Sequence, residues 1–197
     1  MRSERVRLLT EVALTVSLST VLRFWHITLP WQFAGGDISL SMLPIFVLAL
    51  RRGMGPAALA GAAFGVVDFI LNPYAAAPIQ VLLDYPVAFA LLSVTGLGSR
   101  QYRRLVAAGR RVAAEAVAVP WMILGATARF AAHFVSGIIF FGMNAPAGTP
   151  VWVYSAAYNL SYVVPSLILV VFAALLILPV LEAVVPVASP VVGRSAP

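Results

Sequence analysis

Between Leu8 and Val185 the chain passes through six long apolar runs, roughly 8–24, 38–50, 55–71, 79–98, 112–141 and 153–185, parted by short polar or Gly/Pro-rich breaks. Crossing the hydrocarbon of a bilayer takes about 20 apolar residues in a helix. Most of the runs meet that length, and the last two exceed it, which calls for tilt or for extension beyond the lipid. The composition agrees: 61% of the 197 residues are apolar and 10% are charged, with a mean hydropathy of +0.96. An average soluble domain carries about 25% charged residues. Seven acids and 13 arginines are too few to coat a globule, so lipid must bathe most of the surface. The expected fold is an all-α integral membrane protein: one membrane domain over residues 1–197, with six transmembrane helices.

The run at 38–50 is short, and Ala34-Gly35-Gly36 precedes it. It is expected to start within the membrane from a non-helical stretch packed on protein, an arrangement that often borders a binding site. The first run is too long for a cleavable signal peptide. Arg23 interrupts its far end and no A-x-A-like site follows, so it is expected to remain as a helix.

The arginines orient the bundle. With the N-terminus in the cytoplasm, the inner segments hold Arg2, Arg5, Arg7, Arg51, Arg52, Arg100, Arg103, Arg104, Arg110, Arg111 and Arg194. The outer loops, near 25–37, 72–78 and 142–152, hold none. That asymmetry is the positive-inside pattern. It places both termini in the cytoplasm and a multi-pass protein in the cell membrane, and it accounts for a pI near 10.5 without nucleic acid. Several chemistries drop out as well. Without cysteine there is no thiolate metal site or thiol nucleophile, and two scattered histidines make a poor metal site. Every basic residue is arginine, so there is no lysine-bearing P-loop, and the chain does not hydrolyse ATP itself.

Trp25, His26, Trp31, Phe33, Tyr74, Phe141 and Trp152 gather in or beside the outer loops. They suit either a headgroup-level aromatic belt or an aromatic-lined pocket open to the exterior. Charged groups within the runs are costly, about 2.5–3.5 kcal/mol each on insertion scales, and should face protein. Asp84 lies in the fourth run, Arg129 and His133 in the fifth, and Asp68 near the outer end of the third. One reading is an internal Asp–Arg pair that keeps two helices in register. The other is a carboxylate for a cationic or amino-bearing ligand. Arg129, His133, Gly137 and Phe141 recur every four residues as one stripe, with Gly137 leaving space against the backbone. Ser155, Asn159, Tyr162 and Ser166 form a polar face on the sixth run, with Tyr154 and Tyr158 on its flank. An anion, an imidazole, an amide and aromatic faces together suit a flat, cationic, hydrogen-bonding heterocycle. No nucleophile-and-base spacing or metal ligand set is visible, which argues against an enzyme. Small residues also recur every four positions: Ala57, Gly61 and Gly65 read as internal packing, Ala13 and Ser17 as internal packing or a partner-docking face.

Several stretches carry a resemblance along nearly the whole chain. They are Arg7-Leu8-Leu9-Thr10-Glu11, Gly35-Gly36-Asp37-Ile38-Ser39 with Met42-Leu43-Pro44-Ile45, and Leu50-Arg51-Arg52-Gly53. Further on come Gln80-Val81-Leu82-Leu83-Asp84-Tyr85, then the run from Arg129 to Gly137, and Gly148-Thr149-Pro150-Val151-Trp152-Val153-Tyr154-Ser155 continuing to Tyr158-Asn159. In this order they resemble the thiamine-specific substrate-binding (S) components of energy-coupling-factor (ECF) transporters, the ThiT/YuaJ family. The resemblance implies a six-helix S-component bundle that holds one vitamin near the outer face, covered by the loop between the first two helices. It carries the family's pocket onto Asp84, Tyr85, His133, Gly137, Tyr154 and Asn159, with Tyr74 and Arg129 near the ligand. The carboxylate and the amide would read the aminopyrimidine, and aromatic rings would sandwich the thiazolium. Some members have Glu in place of Asp84 and Trp in place of Phe141, and Trp31 stands as the loop aromatic.

The resemblance also implies partners: a membrane T component, docked on the Ala13–Ser17 face, and two ATP-binding-cassette ATPases, in keeping with the missing P-loop. Neither a cofactor nor a metal is expected, and the chain is expected not to be an enzyme. Capture outside would be followed by rotation of the whole component to release thiamine inside. Three rivals stay open. An S component for another vitamin or precursor, such as a hydroxymethylpyrimidine, would not need stacked aromatics beside Asp84. An intramembrane enzyme would use Asp84 and His133 as acid and base, and a proton-coupled carrier would use Asp84 as its proton site.

Overall fold

The computed structural model describes residues 2–32 and 35–185. Phe33, Ala34 and Arg194, which figure in the sequence reading, lie outside them. The described residues are mostly helical, at 81%. Its helices are α1 (Arg2–Arg23), α2 (Leu43–Arg52), α3 (Met54–Leu71), α4 (Pro78–Ala107), α5 (Arg111–Phe140) and α6 (Val151–Val184). Four of these, α3 to α6, are long and apolar enough to cross a membrane. The first half of α1 carries Glu4, Arg5, Arg7 and Glu11, and α2 has only ten residues. At a rise of about 1.5 Å per residue, α2 reaches about 15 Å, half of a hydrocarbon core.

Its start departs from the sequence expectation. Ile38–Ser39 (β2) is not helix but pairs antiparallel with His26–Ile27 (β1), Ile27 opposite Ile38 and His26 opposite Ser39. The all-α expectation therefore gains a two-residue ladder between α1 and α2. The helix begins only at Leu43, where Pro44 occupies the first turn and needs no intrahelical donor. The peptide N–H of Leu43 donates to the Leu40 carbonyl at 3.0 Å, and Met42, Ile45 and Phe46 are buried. So α2 starts against protein from non-helical chain, as its short run and the preceding glycines suggested.

Regular helix fails once more, inside α4. Pro86 has no N–H and its ring crowds the carbonyl four residues back. The chain answers with a π turn over Leu83–Val87, in which the Ala88 N–H reaches the Leu83 carbonyl, five residues back. Asp84 and Tyr85 sit in that widened turn. Gly65 makes room for it: a Cβ there would meet the Tyr85 carbonyl group at 2.5 Å and the Pro86 Cα at 2.6 Å. Gly61 does the same beneath Phe89, and Ala57 is fully buried. This small-residue stripe is internal packing, as expected.

The core between the helices is apolar, and unlike that of a soluble protein much of the outer surface is apolar too. Along α6, Ile168, Phe172, Leu176 and Val180 are each 60% or more exposed, while Ser155, Asn159, Ser166 and Glu182 are buried. An apolar outer face with the polar groups turned inward is the order that a lipid solvent imposes. Ala13 and Ser17 lie on the exposed side of α1. At the end bearing most of the arginines, α2 is braced on two sides. Arg52 grips Glu11 of α1 with two nitrogens, and Arg51 pairs with the buried Glu182 of α6, which also accepts the Tyr102 hydroxyl of α4 at 3.3 Å.

Candidate functional site

Because α2 stops half-way, the far end of the bundle holds a cavity of about 260 Å³ where α1, α3 and α5 end and α4 and α6 begin. Non-helical residues of the segments 26–32 and 35–41 line the side that α2 leaves open. Nine of the ten expected ligand residues line the cavity: Asp84, Tyr85, His133, Gly137, Tyr154, Asn159, Tyr74, Arg129 and Phe141. Trp31 does not. It is 55% exposed and donates its indole N–H to the Ser161 hydroxyl at 3.4 Å, on the outside of α6. Around it, His26, Thr28 and Gln32 reach the wall, as do Gly35, Gly36 and Asp37 further along the loop.

Asp84 is the centre of a set of polar side chains. Its Oδ2 accepts from Gln80 Nε2 at 2.7 Å and from the Ser136 hydroxyl at 2.8 Å, and its Oδ1 lies 3.0 Å from His133 Nδ1. Gln80 and Ser136 are almost wholly buried. Gln80 lies one helical turn before Asp84, and Ser136 three residues after His133, so the spacings i, i+4 and i, i+3 carry both. Neither was among the expected residues, though helical spacing from Asp84 and His133 was the signal that could have found them.

The expected alternative of an Asp84–Arg129 pair is not what forms. Arg129 Nε donates to His133 Nε2 at 3.2 Å and its guanidinium carbon stands 4.2 Å above the centre of the Phe89 ring. Among the described residues no carboxylate lies within ion-pair distance of Arg129. Pairing of that kind occurs elsewhere on the wall: Arg23 bridges Asp37 and Asp68, each at 2.7 Å, tying α1 to the loop and to α3. Those partners lie 14 and 45 residues away in sequence, beyond the reach of any local pattern. Three carboxylates and two guanidiniums leave the cavity wall with one formal negative charge.

The aromatic wall is continuous along α6. The His133 and Tyr162 rings meet edge-on at 6.0 Å, Tyr162 meets Tyr158 at 6.3 Å, and Tyr158 meets Tyr154 at 5.8 Å. Opposite them Tyr74 and Phe141 pair at 5.8 Å. Tyr85 turns its hydroxyl to the neighbouring loop, donating to the Asn72 carbonyl at 2.8 Å and accepting from the Tyr74 N–H at 3.1 Å. Asn159 donates to the Ser155 carbonyl at 2.9 Å and accepts the Tyr162 hydroxyl at 2.6 Å. Gly137 does not leave empty space: a Cβ there would strike Ser155 Oγ, so the glycine lets α5 and α6 close on each other. Among the described residues, buried Arg23 Nη1, Gln32 Nε2 and the Tyr154 hydroxyl have no partner, which leaves the wall hydrogen-bonding capacity.

Known proteins match this chain over most of its length. Residues 9–185 fit the family model described as thiamine transporter protein (Thia_YuaJ). The thiamine transporter ThiT of Bacillus subtilis is 34% identical over 172 residues, covering 85% of this chain and 88% of the relative. The thiamine transporter ThiT of Lacticaseibacillus paracasei is 39% identical over 127 residues, 62% of this chain and 63% of its own. A solved structure of ThiT from Listeria monocytogenes superposes with a TM-score of 0.76 at 29% identity, covering 93% of this chain and 97% of that one.

Proposed function

The chain belongs to the thiamine transporter (Thia_YuaJ) family, a family of transporters and not of enzymes, and from that premise we propose that it is the thiamine-capturing S component of an ECF importer. The single observation that carries the reading is Asp84. Its carboxylate stands on a cavity wall between Gln80, Ser136 and His133, with no guanidinium within pairing distance among the described residues, and Tyr and Phe rings line the same cavity. A partly buried anion with no guanidinium beside it is costly at membrane depth, and a bound cation offsets that cost. The thiazolium of thiamine supplies the charge, its aminopyrimidine supplies hydrogen bonds, and Tyr and Phe faces suit both rings.

In this reading the chain crosses the membrane six times. The positive-inside rule puts the arginine-rich end and both termini in the cytoplasm and opens the cavity to the exterior. The chain lacks a P-loop, so a T component and two ATP-binding-cassette ATPases supply the energy. The exposed Ala13–Ser17 face of α1 is the docking surface for the T component, since small residues let helices approach closely in lipid.

Titration of the purified protein with thiamine, followed by calorimetry and by tryptophan fluorescence, tests the ligand. Saturable binding of thiamine, well above that of the hydroxymethylpyrimidine alone, is the expected result. Equal binding of the two would favour the precursor reading, and no saturable heat would defeat the proposal. For transport, proteoliposomes should take up thiamine only when the ATPases and the T component are also present. Uptake by this chain alone would favour a proton-coupled carrier.

A further inference from the structure

We propose that Arg129 is a positioning residue, which sets the tautomer of His133 so that the imidazole holds Asp84 by its Nδ1–H and leaves the carboxylate's charge for the ligand. The inference rests on the reading of Asp84 given above and adds a role to a residue one helical turn away. A neutral imidazole has one donor nitrogen and one acceptor nitrogen, and the partner of one fixes the role of the other. Arg129 Nε carries a hydrogen and cannot accept, so at 3.2 Å it makes His133 Nε2 the acceptor. Nδ1 then carries the proton and donates to Asp84 Oδ1 at 3.0 Å. An imidazolium would turn an N–H towards the Arg129 N–H, so the same contact opposes a second proton on the ring.

This order of donors decides what Asp84 has left. Its Oδ2 already accepts two hydrogen bonds, from Gln80 and Ser136, while Oδ1 accepts one. The vacant lone pair is on Oδ1, beside the imidazole, and that is where a ligand donor lands. Were His133 charged, it would form an ion pair with Asp84 and cancel the anion that draws a cationic heterocycle. Arg129 is itself held in place by the Phe89 face beneath its guanidinium at 4.2 Å.

Two substitutions separate positioning from charge. Arg129→Gln keeps a neutral donor that can reach Nε2, and Arg129→Met removes it. The chain has only two histidines, so nitrogen-15 NMR of the full-length protein in detergent resolves His133 by comparison with His133→Gln. The expected spectrum of the ligand-free wild type is the neutral Nδ1–H tautomer, retained in Arg129→Gln and lost in Arg129→Met. Both variants remove the same charge, so the comparison is between them: thiamine affinity should be about tenfold or more lower in Arg129→Met than in Arg129→Gln, the scale on which outer partners of metal-ligating histidines act. A wild-type His133 found as the Nε2–H tautomer or as imidazolium overturns the proposal. So does an equal thiamine affinity in Arg129→Gln and Arg129→Met when only Arg129→Gln keeps the tautomer, which would show that the tautomer does not matter to binding. If Arg129→Met does not fold, the wild-type and Arg129→Gln spectra still decide. If the wild type bound no thiamine, the function proposed above would fall, while the spectra would still test the positioning.

Discussion

Asp84→Asn keeps the size of the side chain and removes its charge, and the structure separates the two consequences. Gln80, Ser136 and His133 all point donors at this residue. An amide offers one oxygen and one NH₂, so its NH₂ must face a donor whichever way it lies. The lost hydrogen bond costs about 1–3 kcal/mol of stability. That loss is present with and without ligand, so it cancels from the affinity. The charge does not cancel. The wall carries one net negative charge in the wild type and none in the variant. A cation about 5 Å from a carboxylate gains about 3 kcal/mol at an effective dielectric of about 20, roughly two orders of magnitude in Kd. Calorimetry on purified protein should compare thiamine with a neutral analogue whose thiazolium is replaced by thiophene. The expected outcome is a loss of about 100-fold for thiamine and less than about fivefold for the analogue. An equal loss for both ligands, or a thiamine Kd within about fivefold of wild type, refutes the electrostatic argument. It would leave Asp84 as a residue that shapes the cavity.

Other substitutions probe the frame around the site. Gly65→Ala puts a methyl group into the Tyr85–Pro86 backbone; overpacking of this kind costs about 1–3 kcal/mol, and the displaced π turn should weaken thiamine binding along with the thermal midpoint. Glu182→Ala strands the largely buried Arg51. The expected loss is about 3–5 kcal/mol of stability, read as a lower midpoint in thermal unfolding, with thiamine affinity of the folded fraction unchanged. Replacing both Ala13 and Ser17 by Leu, on the exposed side of α1, should leave thiamine binding as it is and abolish uptake by the reconstituted complex. Normal uptake would remove this face from the docking surface.

What could be read in advance divides along the length scale of each interaction. Apolar runs announce helices because lipid demands internal backbone hydrogen bonding, and α3 to α6 follow the runs closely, with extensions such as that of α4 to Ala107. The stripe from Arg129 to Phe141 and the polar face from Ser155 to Ser166 were legible because one helix fixes their spacing, and both face the cavity or the interior. Trp31 illustrates the opposite case. A loop imposes no period, so the residue type suggested a ring for the ligand while the backbone turned that ring onto Ser161. The Arg23 bridge to Asp37 and Asp68 depends on three separate elements meeting, and no local spacing encodes it. The π turn at Asp84 lay between the two cases. Pro86 was visible, but the widened turn also needed Gly65 on α3 to admit it.

The two ends of α2 are anchored differently: ion pairs to neighbouring helices hold its last turn, while a short non-helical stretch pinned by the Arg23–Asp37 bridge and the β1–β2 ladder precedes its first. Arg51 and Arg52 rivet α2 to α1 and α6, and Tyr102 adds α4 through Glu182. In the proposed role, a vitamin held at the opposite pole touches none of those rivets. Machinery that grips the arginine-rich pole would then meet one and the same surface on full and empty carriers. Discrimination between them has to be made elsewhere, at the pole where the cargo sits.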